Sequence, residues 1–318
     1  MSDLVLKVDE AKKHYPIKKF LKPEKTVKAL DGVSFTLEKK QTLAIVGESG
    51  CGKSTLAKFL MQLETPTGGE YQISGKDVST FSPRDFYREI QMIFQDPYSS
   101  INPRKKAWEI IAEPLMVNTE LNKDECRKKA LQMMEKVGLR PELGMRYPHM
   151  FSGGQRQRIG IARALILHPK ILICDEPVSA LDVSIQAQVI NLLMDLQDEL
   201  EISYIFISHD LSVVRHLADK ILVMYLGKVV EYGNVLDIFQ NPLHPYTQGL
   251  VASTPHVDPG AGNFQPIEGE LPSPLDPPSG CAFHKRCPHV LDKCKSVTPG
   301  LIERHNRKLA CFLYEEEK

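Results

Sequence analysis

One glycine-rich segment of the sequence has the residue types that bind phosphate. Residues 47–54 read GESGCGKS, with a strand-like apolar run before them and a helical pattern after them. Glycines let backbone N–H groups turn inward around phosphate oxygens, the lysine reaches the β and γ phosphates, and the serine hydroxyl ligates Mg²⁺. The segment predicts a nucleotide site that consists of Gly47, Glu48, Ser49, Gly50, Cys51, Gly52, Lys53, Ser54 and Thr55.

A second segment ends in two carboxylates that suit attack of water on a γ-phosphate. Residues 171–176 read ILICDE, four apolar residues followed by Asp175 and Glu176. A buried strand would deliver both acids to a sheet edge, with Asp175 holding Mg²⁺ through water and Glu176 polarising the attacking water. A strand that merely ends in a solvated acidic pair is the alternative, and the glycine-rich segment favours the chemical interpretation.

The segment 151–158, FSGGQRQR, resembles the signature of ABC ATPases, with Phe151 in place of the usual leucine. In that family the signature caps the ATP held by the opposing copy, through a hydroxyl and N–H groups at a helix start. The resemblance assigns this contact to Ser152, Gly153, Gly154 and Gln155. Phe151 lies at the apolar flank of the signature and leaves the phosphate-facing residues in place.

Further motifs follow in the order of that family. Gln95 resembles the Q-loop glutamine, Asp182 the D-loop aspartate and His209 the switch histidine. The resemblance implies ATP and Mg²⁺ as cofactors, with the metal held by Ser54, Gln95 and Asp175, and catalysis by Glu176, His209, Gln95 and Lys53. Tyr15 stands where such ATPases place an aromatic residue that stacks on adenine. Ordinary packing is the alternative for Tyr15.

Within this family, the whole chain resembles the ATP-binding subunits of oligopeptide and dipeptide importers, in particular the second of their two ATPases. The resemblance rests on residues 47–53, 91–104 and 241–247. It implies a heterodimer with a sister ATPase, or a homodimer in isolation, together with two membrane permeases and an extracytoplasmic peptide-binding protein. The chain would then hydrolyse ATP at the cytoplasmic face of the inner membrane. A nickel or other small-solute importer, and an ATPase that handles nucleic acid, are the alternatives.

Composition and charge limit these alternatives. The 318 residues include 40 basic and 40 acidic side chains, so no excess of positive charge favours nucleic acid as a partner. The apolar runs are far shorter than the ~20 residues of a membrane-spanning helix, and no signal peptide is evident. We therefore expect a cytoplasmic protein whose seven cysteines are thiols or metal ligands.

The elements that must position these residues form an α/β pattern. Residues 1–43 alternate apolar and polar positions, which predicts a small antiparallel β subdomain. From residue 44 onward, short apolar runs alternate with helical stretches, and the resemblance implies a RecA-like core of the ABC type with a helical subdomain inserted at about 100–160. We expect an ATPase cassette over 1–254 and a C-terminal extension over 255–318.

The expected extension begins with a proline-rich connector and contains four cysteines. Seven prolines lie between residues 255 and 278, too many for a regular helix or a central strand. The cysteines are Cys281, Cys287, Cys294 and Cys311. Their wide spacing lacks the tight pair typical of zinc and is compatible with an iron–sulfur cluster. The resemblance implies a [4Fe–4S] cluster here; zinc and unliganded thiols are the alternatives.

Overall fold

Short strands alternate with helices in the computed structural model, which describes residues 4–17, 25–96, 100–254 and 267–315. The strands are β1 (Leu4–Ile17), β2 (Lys25–Glu38), β3 (Thr42–Val46), β4 (Gly68–Ile73), β5 (Lys76–Asp77), β6 (Ile90–Ile93), β7 (Ile171–Asp175), β8 (Ser203–Ile207), β9 (Lys220–Tyr225), β10 (Lys228–Asn234), β11 (Ile302–Arg304) and β12 (Arg307–Leu309). The α-helices are α1 (Lys53–Leu60), α2 (Pro83–Glu89), α3 (Ala107–Asn118), α4 (Lys123–Lys136), α5 (Gly153–Leu165), α6 (Val183–Leu200), α7 (Leu211–Leu217), α8 (Val235–Gln240) and α9 (Pro245–Ala252). No helix in these ranges has the length and apolarity that crossing a membrane requires.

The described chain divides into two compact units. The first consists mainly of Glu38–Gln41 and Ile73–Phe206, and the second mainly of Leu6–Leu37, Thr42–Gln72 and Ile207–Lys318. Each unit therefore combines segments that are distant in sequence. The predicted boundary between a cassette and an extension at residue 254 stays a prediction.

The first unit contains strands β6 to β8 and a group of packed helices, of which α5 contacts β6. The strand order is β8, β7, β6, and β6 runs parallel to β7 with Ile90 opposite Ile171. All five residues of β7 and of β8 are buried, as expected for parallel strands with both faces covered. Helices α3, α4 and α5 pack on one another and form the helical region that the sequence predicts. Its expected bounds of about 100–160 stay a prediction.

In the second unit, the strand that precedes the glycine-rich loop lies inside a sheet. The order is β11, β12, β10, β9, β3, with β3 parallel to β9 and β9 antiparallel to β10. Strands β2, β1 and β4 belong to a separate sheet, which contains the strands predicted within residues 1–43 and adds β4 from further along the chain. Its alternation is visible in β2, where Val33, Phe35 and Leu37 are buried and the residues between them are partly exposed.

The chain that follows the predicted connector joins the second unit through β12. This strand pairs with β10, with Leu309 opposite Glu231. The Glu231 carboxylate is fully buried and is compensated by Arg307, whose Nη1 donates to it at 3.0 Å. It also accepts the backbone N–H groups of Leu243 and His244 at 3.1 and 3.0 Å. The ion pair thus fixes the start of α9. The first half of the predicted connector, residues 255–266, lies outside the described residues.

His244 caps α9 in its neutral form. Its Nδ1 accepts the Tyr246 N–H at 3.0 Å, and the side chain is buried. Burial lowers the pKa of His244 to about 3. The unfolded chain takes up this proton below a pH of about 6.5, whereas the folded chain stays neutral until about pH 3. His244 therefore lowers the free energy of unfolding as the pH falls through this window.

We predict that His244→Asn weakens this pH dependence, because asparagine keeps an N-cap acceptor and does not titrate. Between pH 7 and pH 5.5 the wild type should lose about 1 kcal/mol more of its free energy of unfolding than the variant does. Urea unfolding at the two pH values measures this difference. Equal losses in both proteins would contradict the assignment of a neutral, buried His244.

Candidate functional site

The glycine-rich loop joins β3 to α1 and folds around the lysine that the sequence singles out. The Nζ of Lys53 donates to the carbonyl oxygens of Gly47 and Glu48 at 2.7 and 3.2 Å. Only 7% of Lys53 is exposed, while Ser49, Gly50 and Ser54 are exposed. The loop therefore presents a cationic group and a helix N-terminus, the two features that attract phosphate.

Two glycines of the loop cannot be replaced without strain. Gly52 is the N-cap of α1 with a φ of 111°, and a Cβ there would collide with the carbonyl oxygen of Ala29. Gly47 has a φ of 149°, and a Cβ there would collide with the carbonyl oxygen of Met224. Both conformations are rare for residues with a side chain. The loop thus depends on close backbone contacts with neighbouring segments.

Tyr15, the expected adenine-stacking residue, lies in β1 and has structural partners. Its hydroxyl donates to Glu64, and the Nζ of Lys13 lies 4.9 Å from the ring centroid. Burial, followed by the bond to Glu64, raises the pKa of Tyr15 to about 12, so the phenol stays protonated. These contacts give Tyr15 a packing role, and adenine stacking stays a prediction.

The predicted catalytic carboxylate follows β7 and meets the predicted Q-loop glutamine. Asp175 ends the strand and is 7% exposed, while Glu176 has a left-handed backbone with a φ of 47°. A non-glycine residue in that region stores strain of about 1–3 kcal/mol, and such residues cluster at functional sites. The Nε2 of Gln95 donates to Glu176 Oε2 at 2.9 Å. The structure therefore brings Gln95 and Glu176 together, and their catalytic roles stay a prediction.

The predicted signature residues form the capped start of α5. Ser152 Oγ accepts the Gln155 N–H at 3.3 Å, and Gln155 Oε1 accepts the Ser152 N–H at 3.1 Å. This reciprocal capping box leaves Ser152 exposed at the helix N-terminus. Gly154 lies close to Ile185. A Cβ at Gly154 would lie 2.7 Å from Ile185 Cγ2, which is too close for an ordinary contact. Phe151 is buried, in keeping with its place at the apolar flank.

Asp182, the predicted D-loop residue, is the exposed N-cap of α6. Its loop is fixed by Gln186, whose Nε2 donates to the carbonyl oxygens of Val178 and Leu181 at 3.0 Å each. Sequence reasoning missed Gln186. The available signal is its place one turn after Asp182, where a side-chain amide can reach back to loop carbonyls.

His209, the predicted switch histidine, follows β8 and is exposed. The next residue, Asp210, caps α7 by accepting the Ser212 N–H at 2.8 Å. The Ser208 N–H donates to the carbonyl oxygen of Ile45 at 3.3 Å, which ties this corner to β3. The residues on both sides of His209 are thus held by hydrogen bonds, Ser208 to Ile45 and Asp210 to Ser212.

The four tail cysteines do not support the expected iron–sulfur cluster. Across the described residues, no three His, Cys, Asp or Glu side chains are grouped closely enough to hold a metal. Cys281 and Cys287 pack against one hydrophobic cluster, whereas Cys311 belongs to another. Burial raises the pKa of Cys281 and Cys287, and that of Cys311 to about 12, so these thiols stay protonated. The cysteine spacing suits thiolate ligands, but the [4Fe–4S] cluster is not supported by the described residues.

Two known families match separate parts of the chain. The ABC transporter family matches residues 30–179, and the C-terminal region of oligopeptide/dipeptide transporters matches residues 230–294. The dipeptide transport ATP-binding protein DppF of Escherichia coli (strain K12) is 54% identical over 319 residues, covering 99% of this chain and 96% of that protein. The chain belongs to the ABC transporter ATP-binding proteins of the dipeptide/oligopeptide group.

Other relatives and solved structures agree with this membership. The oligopeptide transport ATP-binding protein OppF of Escherichia coli (strain K12) is 50% identical over 97% of this chain and 96% of its own length. A post-hydrolysis state of the ATP-binding cassette MJ0796, bound to ADP and Pi, gives a TM-score of 0.63 at 28% identity, covering 72% of this chain and 98% of that one. The cbiO1 protein from Clostridium perfringens gives a TM-score of 0.64 at 29% identity, covering 75% and 92%. The ABC ATPase fold predicted from the motifs is confirmed.

Sequence reasoning also missed contacts that the C-terminal residues make with the glycine-rich loop of this ABC protein. Arg286 binds the Glu48 carboxylate through Nη1 at 2.6 Å and Nη2 at 2.9 Å. Tyr246 OH accepts the Glu48 N–H at 2.8 Å. No spacing rule connects residues about 200 positions apart, so the sequence offered no signal for either contact.

We predict that Gly52→Ala weakens MgATP binding at least tenfold, because the left-handed backbone alone costs a residue with a side chain about 1–2 kcal/mol. The collision with Ala29 adds to that cost. Gly160→Ala is the matched control, since a Cβ there meets nothing within 4 Å and alanine suits a helix. Titration with a fluorescent ATP analogue measures both affinities. Equal affinity of Gly52→Ala and wild type would show that the loop tolerates a side chain at its helix start.

Proposed function

We propose that this ABC transporter subunit hydrolyses MgATP to drive import of dipeptides or oligopeptides through partner membrane subunits. Support for the substrate class comes from the relatives: the named transport proteins are dipeptide and oligopeptide transporters, and they match the chain nearly end to end. The match of residues 230–294 to the C-terminal region of such transporters adds a feature outside the ATPase motifs. The chain would act at the cytoplasmic face of the inner membrane, bound to the permeases.

The contact between Gln95 and Glu176 carries the catalytic part of the proposal. A carboxylate that polarises water must be oriented, and the amide bond at 2.9 Å together with the left-handed backbone of Glu176 orients it. Asp175 and Ser54, with Gln95, would hold Mg²⁺, which neutralises charge that develops on the phosphates. Lys53 would bind the β and γ phosphates, and His209 would respond to the γ-phosphate.

The signature would act on a second ATPase copy. Ser152 is exposed at a helix N-terminus, and its N–H neighbours in the first turn of α5 can donate to an anion. A sister subunit would supply the second copy in the importer, and a second copy of this chain would do so in isolation. Asp182 is exposed at the start of α6 and would belong to the same intersubunit contact.

We predict that Glu176→Gln lowers ATP hydrolysis about 100-fold or more, because the amide keeps the size of the side chain and loses the charge that polarises water. MgATP affinity should stay close to that of the wild type. Glu199→Gln is the control, because Glu199 is half exposed and pairs with Lys136 on the surface. Phosphate release from the assembled transporter measures the rates, and hydrolysis by Glu176→Gln near the wild-type rate would rule out this carboxylate.

The same variants separate the substrate classes. In cells whose uptake depends on this transporter, the wild type should restore uptake of a radiolabelled dipeptide, and Glu176→Gln should not. Restored uptake of nickel without any uptake of dipeptide would replace the peptide assignment with the small-solute one.

A further inference from the structure

The side chain of Glu48, inside the glycine-rich loop, is bound by an arginine from the C-terminal region. Arg286 holds the carboxylate with two parallel hydrogen bonds, Nη1 to Oε2 at 2.6 Å and Nη2 to Oε1 at 2.9 Å. The Arg286 side chain is 5% exposed and that of Glu48 is 28% exposed. A bidentate pair that is largely shielded from water is much stronger than an exposed ion pair. The bond to Glu48 accordingly raises the pKa of Arg286.

The position of Arg286 is fixed by its own surroundings. Its Nε donates to the carbonyl oxygen of Glu268 at 3.2 Å, and its guanidinium lies 6.0 Å from the ring centroids of both Tyr225 and Phe283. Tyr225 and Phe283 meet edge to face, with centroids 5.3 Å apart. The guanidinium therefore reaches the loop with little conformational freedom left to lose.

A second contact holds the backbone of the same residue. The Glu48 N–H donates to Tyr246 OH at 2.8 Å, and Tyr246 is fully buried in α9. The start of α9 is in turn fixed by the Glu231 carboxylate, which Arg307 of β12 compensates. Backbone and side chain of Glu48 are thus both held by residues that follow position 220.

Charge gives this arrangement a role in nucleotide binding. A phosphate-binding loop that carries an uncompensated carboxylate would repel a triphosphate, because like charges disfavour one another strongly where water is partly excluded. Arg286 neutralises Glu48 and leaves the charge of Lys53 available to the phosphates. Glu48 can then serve as a fixed anchor for the loop without weakening the anion site.

We propose that Arg286 is a positioning residue for ATP: it neutralises and anchors Glu48, and so makes the C-terminal region part of the nucleotide-binding machinery. The proposal rests on the assignment of the loop as the ATP site. We expect Arg286 to act on the affinity for ATP, because its hydrogen bonds hold Glu48 of the phosphate-binding loop.

A charge-pair cycle on the full-length chain tests this proposal. The variants are Arg286→Met, Glu48→Gln and the double variant, with Lys285→Met as the matched control, since Lys285 is the exposed neighbour of Arg286. We expect Arg286→Met to raise the Kd for MgATP about tenfold, with kcat in the assembled transporter changed less than twofold. Removing the orphaned charge in the double variant should return the Kd to within about threefold of the wild type.

Several outcomes of this experiment would overturn the proposal that Arg286 positions Glu48 for ATP binding. An unchanged Kd in Arg286→Met, or a double variant no better than Arg286→Met, would overturn the proposal, as would an equal effect of Lys285→Met. If Arg286→Met does not fold, Arg286→Lys replaces it: lysine keeps the charge and loses the bidentate bond, so a Kd raised about threefold is expected and an unchanged Kd would overturn the proposal. Failure of the wild type itself to bind MgATP would instead refute the assignment of the loop.

Discussion

The conformation of the phosphate-binding loop is the constraint on which the rest of the structure depends. The loop closes only because Gly47 and Gly52 place backbone against the carbonyl oxygens of Met224 and Ala29, where a side chain would collide. The Gly227 N–H also donates to the carbonyl oxygen of Cys51 at 2.9 Å. Strand β9, the turn after it and strand β2 therefore determine the shape of a loop that is far from them in sequence. A buried parallel strand before the loop and a helix after it complete the same arrangement.

Glu48 extends this dependence to the C-terminal region. Glu48, the one carboxylate of the loop, is bound at both its backbone and its side chain. The aromatic cluster of Tyr225, Tyr246 and Phe283 lies beneath these contacts, with ring centroids 4.7 to 5.4 Å apart. A change in the packing of the tail therefore changes the position or the charge of the loop. This coupling needs no metal centre in the tail.

The motif residues and the fold class could be predicted from the sequence because each motif is local. The loop before α1, the acidic pair at the end of β7 and the capping box at Ser152 are set by neighbours within a few residues, and the structure places them on the expected elements. The tail could not be predicted in this way. The spacing of its cysteines indicates which residues could bind a metal, but the contacts of Cys281, Cys287 and Cys311 with hydrophobic clusters depend on tertiary packing. Likewise, Arg286 meets Glu48 only through the tertiary fold, and the capping role of His244 depends on the buried Glu231–Arg307 pair.

These contacts imply that the phosphate-binding loop and the C-terminal region respond to ATP as one structural unit. Hydrogen–deuterium exchange of the full-length protein, with and without MgATP, tests it most directly. We predict that MgATP slows exchange in peptides that cover residues 43–60 and also in peptides that cover residues 280–290, because ordering of the loop around phosphate restrains the segment bound to Glu48. Slower exchange in 43–60 with unchanged exchange in 280–290 would contradict the claim.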